Sequence, residues 1–319
     1  MRSGSNRFPA ALSRRDMLRY GALAALTVPL AACGTGYDDT PDPLDDLART
    51  ARADAEAART LATAGGGAPA AGEVANAVAR VRFAHADALE EEVRRANRPA
   101  SSARPPNERV ADLAALGKLL AAAGTRCRTL ASSAPRYRAG LLGSVAAGCA
   151  AAGALSPELG TEPEFEFEPP RVGGDLDEDA VAGLQRALDT EHAAVWTYGL
   201  VTAFLPAEFD RSVEDAAGEH RERRHASQSV LESAGALPNA AEPAYLPPRP
   251  VDDIPSAMTV VITAESGTAR AWRGVLERTD DRALRGFALD ALASSAIRVT
   301  RWRAESGEPY AAVALPGVA

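Results

Sequence analysis

Lysine is almost missing from this sequence: Lys118 is the only one among 35 basic residues, and the rest are arginines. The chain is nonetheless acidic, with a formal charge of −8. That balance excludes nucleic acid as an electrostatically favoured partner, because phosphate contacts need a basic face. Cysteine is scarce too, at three in 319 residues, and the three show none of the paired spacing of a Cys/His zinc site. No phosphate-cradling glycine loop and no nucleophile–base–orienter set occurs. The apolar run from Tyr20 to Ala32 covers thirteen positions, short of the ~20 that a membrane-spanning helix needs.

What the first 33 residues do contain is a processing segment. A basic stretch, Ser13-Arg14-Arg15-Asp16-Met17-Leu18-Arg19, precedes that apolar run, which ends in Leu30-Ala31-Ala32-Cys33-Gly34. Paired arginines before a short apolar stretch are the twin-arginine export address, and a small-residue box ending in Cys is cut by a lipoprotein signal peptidase. The expectation is a lipoprotein acylated at Cys33 and held on the extracytoplasmic face of the cell membrane. Removing residues 1–32, with five arginines and one aspartate, takes the remainder from −8 to −12.

Beyond Cys33, residues 34–42 are small, acidic and turn-forming, which reads as a tether. The rest repeats one plan twice: helical hairpin, Pro-rich connector, helical hairpin. Apolar periodicity near 3.6 predicts helices over Pro43–Ala64, Gly72–Ala96, Glu108–Ser132 and Tyr137–Leu155 in an N-terminal bundle, 43–155. An acidic, Pro-containing linker, 156–175, follows. A second bundle, 176–319, has helices over Leu176–Leu205, Ala207–Ala234, Ser256–Thr279 and Asp281–Arg303. The fold class is therefore all-α, two tandem four-helix bundles. Between the two hairpins of the second, Gly235–Pro255 is rich in proline and lacks helical periodicity. Twenty extended steps reach up to ~66 Å, and the 28-residue helix before them is ~42 Å long. Such a connector can cross the full bundle, which is the ferritin-like arrangement.

Several motifs in this half also carry a resemblance. Leu188-Asp189-Thr190-Glu191-His192-Ala193-Ala194-Val195-Trp196-Thr197-Tyr198-Gly199, then Glu219-His220-Arg221-Glu222-Arg223-Arg224, Tyr245-Leu246-Pro247-Pro248 and Ala296-Ile297-Arg298-Val299-Thr300-Arg301-Trp302-Arg303 stand in order. Together, over roughly residues 178–317, they resemble an uncharacterised ferritin-like domain of exported proteins from high-GC bacteria. The resemblance implies a fold and imports no active site.

A ferritin-type di-metal centre needs a Glu from each of two helices and an inward Glu-x-x-His from each of the other two. Glu222-Arg223-Arg224-His225 has that spacing, but at about 100° per residue Glu222 lies about 180° from the stripe of Val213 and Leu231, and His225 about 120° from it. The stripes instead place Glu191, His220, Arg224, Glu265 and Arg298 inward. Two carboxylates and one imidazole, Glu191, His220 and Glu265, form a candidate ligand set for iron or manganese. Guanidiniums in the same layer compete for those carboxylates and cannot ligate a metal, so a structural ion network is the rival reading. His192, beside Glu191 but one step off the stripe, is either a boundary histidine or a group that supports Glu191 from behind. In the first bundle, Asp54 and His85 fall on apolar stripes and form a candidate buried pair.

Cys127 and Cys149 are a candidate disulfide, the compartment permitting one. Around a turn at Pro135 they are staggered by six residues, roughly 9 Å along a helix, beyond the roughly 7 Å Cα limit. Two packed thiols are the alternative. The functional expectation is a membrane-anchored scaffold or binding module without enzymatic activity, its alternative a metal-binding or redox-protective protein.

Overall fold

A computed structural model describes residues 40–318, apart from 64–68, 100, 102–109, 161, 162, 164, 174 and 248. The processing segment with Cys33, the tether as far as residue 39 and most of the first connector lie outside the described residues.

Eight α-helices and no strand are found among the described residues: α1 (Pro43–Thr63), α2 (Pro69–Ala96), α3 (Leu113–Ala131), α4 (Arg136–Gly153), α5 (Glu178–Val201), α6 (Asp210–Ser233), α7 (Ile254–Leu276) and α8 (Arg282–Glu305). Aspartates set several of the starts. Asp112, Asp177, Asp253 and Asp281 each accept a backbone N–H of the first turn, satisfying one orphan donor for about 1 kcal/mol per cap. Asp253 and Ser256 complete a capping box. Asp42 does similar work before α1, accepting the Leu44 N–H at 2.9 Å while Arg138 of α4 donates two bonds to its carboxylate.

Residues Pro41–Ala319 form one compact unit. α1 pairs with α2 and α3 with α4, and α4 also packs on α7 and α8. One apolar core runs through both halves, joining Leu142 and Val145 of α4 to Leu276, Leu289 and Leu292. Backbone closeness requires a small residue on α4 at Gly148, where a methyl group would collide with the Ala314 carbonyl oxygen, and at Gly143 one would press on the Leu276 side chain. The acidic segment 156–175 does not divide this core. Its Phe167 is buried, edge-on to Phe287 with ring centroids 5.7 Å apart and under the Arg223 guanidinium at 4.9 Å.

In the second half α5 lies between α6 and α7, and the pairings give the directions. Glu191 meets Trp272 and Tyr198 meets Glu265, so α5 and α7 are antiparallel. Arg223 meets Ala291 and Ser295, and Glu219 meets Ser294 and Arg298, so α6 and α8 are antiparallel as well. The connector after α6 touches α5 repeatedly: Gln185 donates to Leu237 O at 2.7 Å, Asn239 donates to Asp189, and Tyr245 lies 6.0 Å from Trp196.

Candidate functional site

Glu191 of α5, His220 and Arg223 of α6, and Glu265 of α7 are all fully buried in the middle of the second half. A buried charge must be paired, and here each is. His220 places Nδ1 2.6 Å from Glu191 Oε2 and Nε2 3.1 Å from Glu265 Oε1. Trp272 Nε1 donates to Glu191 Oε1 at 2.6 Å, and Tyr198 donates its hydroxyl to Glu265 Oε1 at 2.7 Å. Arg223 Nη1 lies 3.5 Å from Glu191 Oε1 and donates to Ser295 Oγ at 3.0 Å. Arg298 pairs with Glu219 and approaches Glu265 Oε1 at 3.5 Å.

The charges close on themselves. Burial opposes protonation of His220, but Glu265 and Glu191 on either side outweigh it and raise its pKa. Burial likewise opposes the Glu191 carboxylate, and Arg223, His220 and Trp272 overcome that and lower its pKa. Burial raises Tyr198 well above the ordinary phenol range, helped by Glu265. Three cations, His220, Arg223 and Arg298, thus balance three carboxylates, Glu191, Glu219 and Glu265.

This arrangement corrects one sequence expectation. Arg224 is not in the network; it is half-buried and donates to His225 Nε2 at 2.9 Å, whereas Arg223 is the buried guanidinium. The stripe drawn through Val213 and Leu231 omits Ala226 and Val230, which are also buried. Including them turns the buried arc by about 50° toward Arg223, half a residue step. Glu222 and His225 are exposed. His192 is buried beside the network without joining it, its Nε2 3.2 Å from Asn239 O. Tyr198 shares the apolar stripe of α5 with Leu184, Leu188 and Glu191, and Trp272 that of α7 with Val261, Glu265 and Leu276, but periodicity does not show where their polar ends point. Ser295 shares the apolar face of α8 with Ala291 and Arg298, whereas Glu219 and Ser294 gave no periodic signal.

The candidate metal ligands Glu191, His220 and Glu265 do not surround a common point. The imidazole stands between the two carboxylates, one on each ring nitrogen, so its protonated form offers no lone pair to an ion. Among the described residues, no group of three or more His, Cys, Asp or Glu side chains is disposed to hold a metal. The di-metal centre of a ferritin does not fit these residues. Toward solvent, Glu219 and Arg298 form part of the floor of an open groove of about 1240 Å³ between α6 and α8.

The first half holds a smaller polar cluster. Asp54 and His85 do not pair directly; Arg82 bridges them, at 2.7 Å from Asp54 Oδ2 and 3.0 Å from His85 Nδ1. His85 Nε2 donates to Ala314 O at 2.6 Å. Burial, seconded by Arg82, pushes the His85 pKa down to about 3. Cys127 and Cys149 are both free, buried thiols. Burial pushes Cys127 up to about 12 and raises Cys149 as well, which makes them packing groups rather than nucleophiles.

No curated protein matches the chain. A solved structure, of a conserved hypothetical protein from Mycobacterium tuberculosis, is 34% identical over 40% of this chain and 91% of its own, with a TM-score of 0.40. Residues 183–319, which hold every side chain of the buried network, match the family described as "Domain of unknown function (DUF4439)".

Proposed function

We propose that this chain is exported, anchored through lipid at Cys33, and works on the extracytoplasmic face of the membrane as a non-enzymatic scaffold or binding module built on a ferritin-like bundle. One observation carries the non-enzymatic part: the acids and bases of the buried network in the second half are used on one another, three cations against three carboxylates. The ferritin-like reading is supported by the antiparallel neighbours and by a connector whose contacts move along α5 from Gln185 to Trp196, as a crossover would. The anchoring is supported by the twin-arginine segment and the Leu-Ala-Ala-Cys box.

Fractionation of the host tests the anchor: Cys33→Ala should move the protein out of the membrane fraction, and unchanged membrane retention would refute it. The alternative is metal binding, favoured by Glu265 Oε2, which is buried with no hydrogen-bond partner. Near-stoichiometric iron or manganese in protein matured in its own host, lost in Glu191→Ala and His220→Ala, would replace the scaffold reading with that one.

A further inference from the structure

On this acidic chain one surface has the opposite sign. A cavity of about 460 Å³ lies over the seam between α5 and α7, and Arg186, Arg270, Arg273 and Arg278 line it against, among the described residues, a single carboxylate, Glu277. That carboxylate is already committed to Arg273 at 2.9 Å. Arg278 donates to Gly274 O at 2.8 Å. Arg186 and Arg270 are exposed and have no ion-pair or hydrogen-bond partner among the described residues, while Arg273 Nε is buried without an acceptor.

Four guanidiniums sharing one concavity repel one another, and a chain carrying 43 acidic residues had carboxylates available to neutralise them. The wall of the cavity is bare at Gly267, while the Arg278 side chain covers Gly183 and Gly274. Gly183, Gly267 and Gly274 face it from the two helices, and Gly317 closes one end. A Cβ built at Gly267 meets nothing within 4 Å, so the space beside the helix backbone is open to an occupant. The volume falls in the range of small-ligand sites, about 300–1000 Å³. Guanidiniums present paired N–H donors that match the oxygens of a phosphoryl group.

We infer that this cavity is a binding site for a phosphoryl anion, held by Arg186, Arg270 and Arg273. The inference rests on the binding-module reading and names its ligand chemistry. The phosphoryl group could be that of a soluble phosphate compound or of an anionic phospholipid headgroup at the membrane the chain is proposed to sit on.

Two probes separate these sources, both applied to the full-length chain carrying Cys33→Ala so that no anchor contributes. Calorimetric titration with inorganic pyrophosphate reads the soluble source. Co-sedimentation with vesicles of phosphatidylglycerol in phosphatidylcholine reads the headgroup. In at least one arm binding should be saturable and should weaken about tenfold or more in Arg186→Gln/Arg270→Gln, each lost charge-assisted contact being worth that much. Both residues are exposed and unpaired, so the variant keeps its fold, which a thermal melt checks. Arg211→Gln, an exposed arginine on α6, should leave binding unchanged.

Pyrophosphate binding lost in the double variant assigns a soluble phosphate, and vesicle binding lost alone assigns a headgroup. Absence of binding in both arms, equal binding by the double variant, or an equal loss in Arg211→Gln overturns the site. None of these results bears on the Cys33 fractionation or the metal content, so the site can fail while the proposed function stands.

Discussion

Replacing Arg223 and Arg224 one at a time by methionine separates two neighbouring guanidiniums that helical phase assigns the wrong way round. Arg223 is fully buried, close to Glu191 and Glu219 and stacked over Phe167. Methionine keeps the length of the side chain but leaves the network one positive charge short. Breaking a buried ion pair from one side costs about 3–5 kcal/mol. At roughly 2–4 °C of melting temperature per kcal/mol for a unit somewhat smaller than this, Arg223→Met should lower Tm by roughly 6–20 °C. Arg224 touches His225 at the surface, so Arg224→Met should stay within about 0.5 kcal/mol, a shift of roughly 2 °C or less. Thermal unfolding followed by circular dichroism reads both. The double variant Glu191→Gln/Arg223→Met removes one charge of each sign and should be less destabilised than its single variants summed, by about 1–3 kcal/mol. Equal effects at 223 and 224, or strict additivity in the double variant, would refute the balanced-network argument.

Acid should weaken the first half through His85. Its pKa in the folded chain, about 3, is below the ordinary ~6.5, so the unfolded chain binds the proton first, and stability falls as pH drops from ~6.5 toward 3. The size is on the order of 4 kcal/mol, and His85→Gln should flatten that limb of a stability-versus-pH curve. His220 runs the other way: its raised pKa gives stability present below ~6.5 and lost as pH climbs through the folded value, so His220→Gln should remove the alkaline limb only. Cys127 and Cys149, buried with raised pKa values, should resist an aqueous thiol reagent in the native protein and both react once it is unfolded; rapid native labelling would contradict their packing role.

Periodicity was enough to locate eight helices and to bring Glu191, His220 and Glu265 into one layer, because each of those residues sits inside a stripe of large apolar neighbours. It misplaced the arginine of α6 because alanine and valine at 226 and 230 bury as completely as leucine yet weigh little in a stripe. It also could not say which helix covers which. The small residues of α4 announce close packing, but only the fold shows that the neighbours are Leu276 and Leu289 of the other half. Phe167 was hidden differently. Among the acidic and proline residues of 156–175 it reads as linker, while in space it plugs the core beside Phe287. Polar ends, finally, are set by geometry: Trp272 and Tyr198 advertise burial in sequence, and only position reveals that their N–H and O–H hold the two carboxylates.

The hydrogen bond from His85 to Ala314 spans 229 residues, and Ser144 donates to Pro316 O at 2.7 Å in the same region. A protein made from its N-terminus onward therefore cannot finish the interior of its earliest helices until residues 314–316 have left the ribosome. Contacts of such sequence separation slow folding. Maturation would be a single late event, complete before translocation if the molecule crosses the membrane already folded.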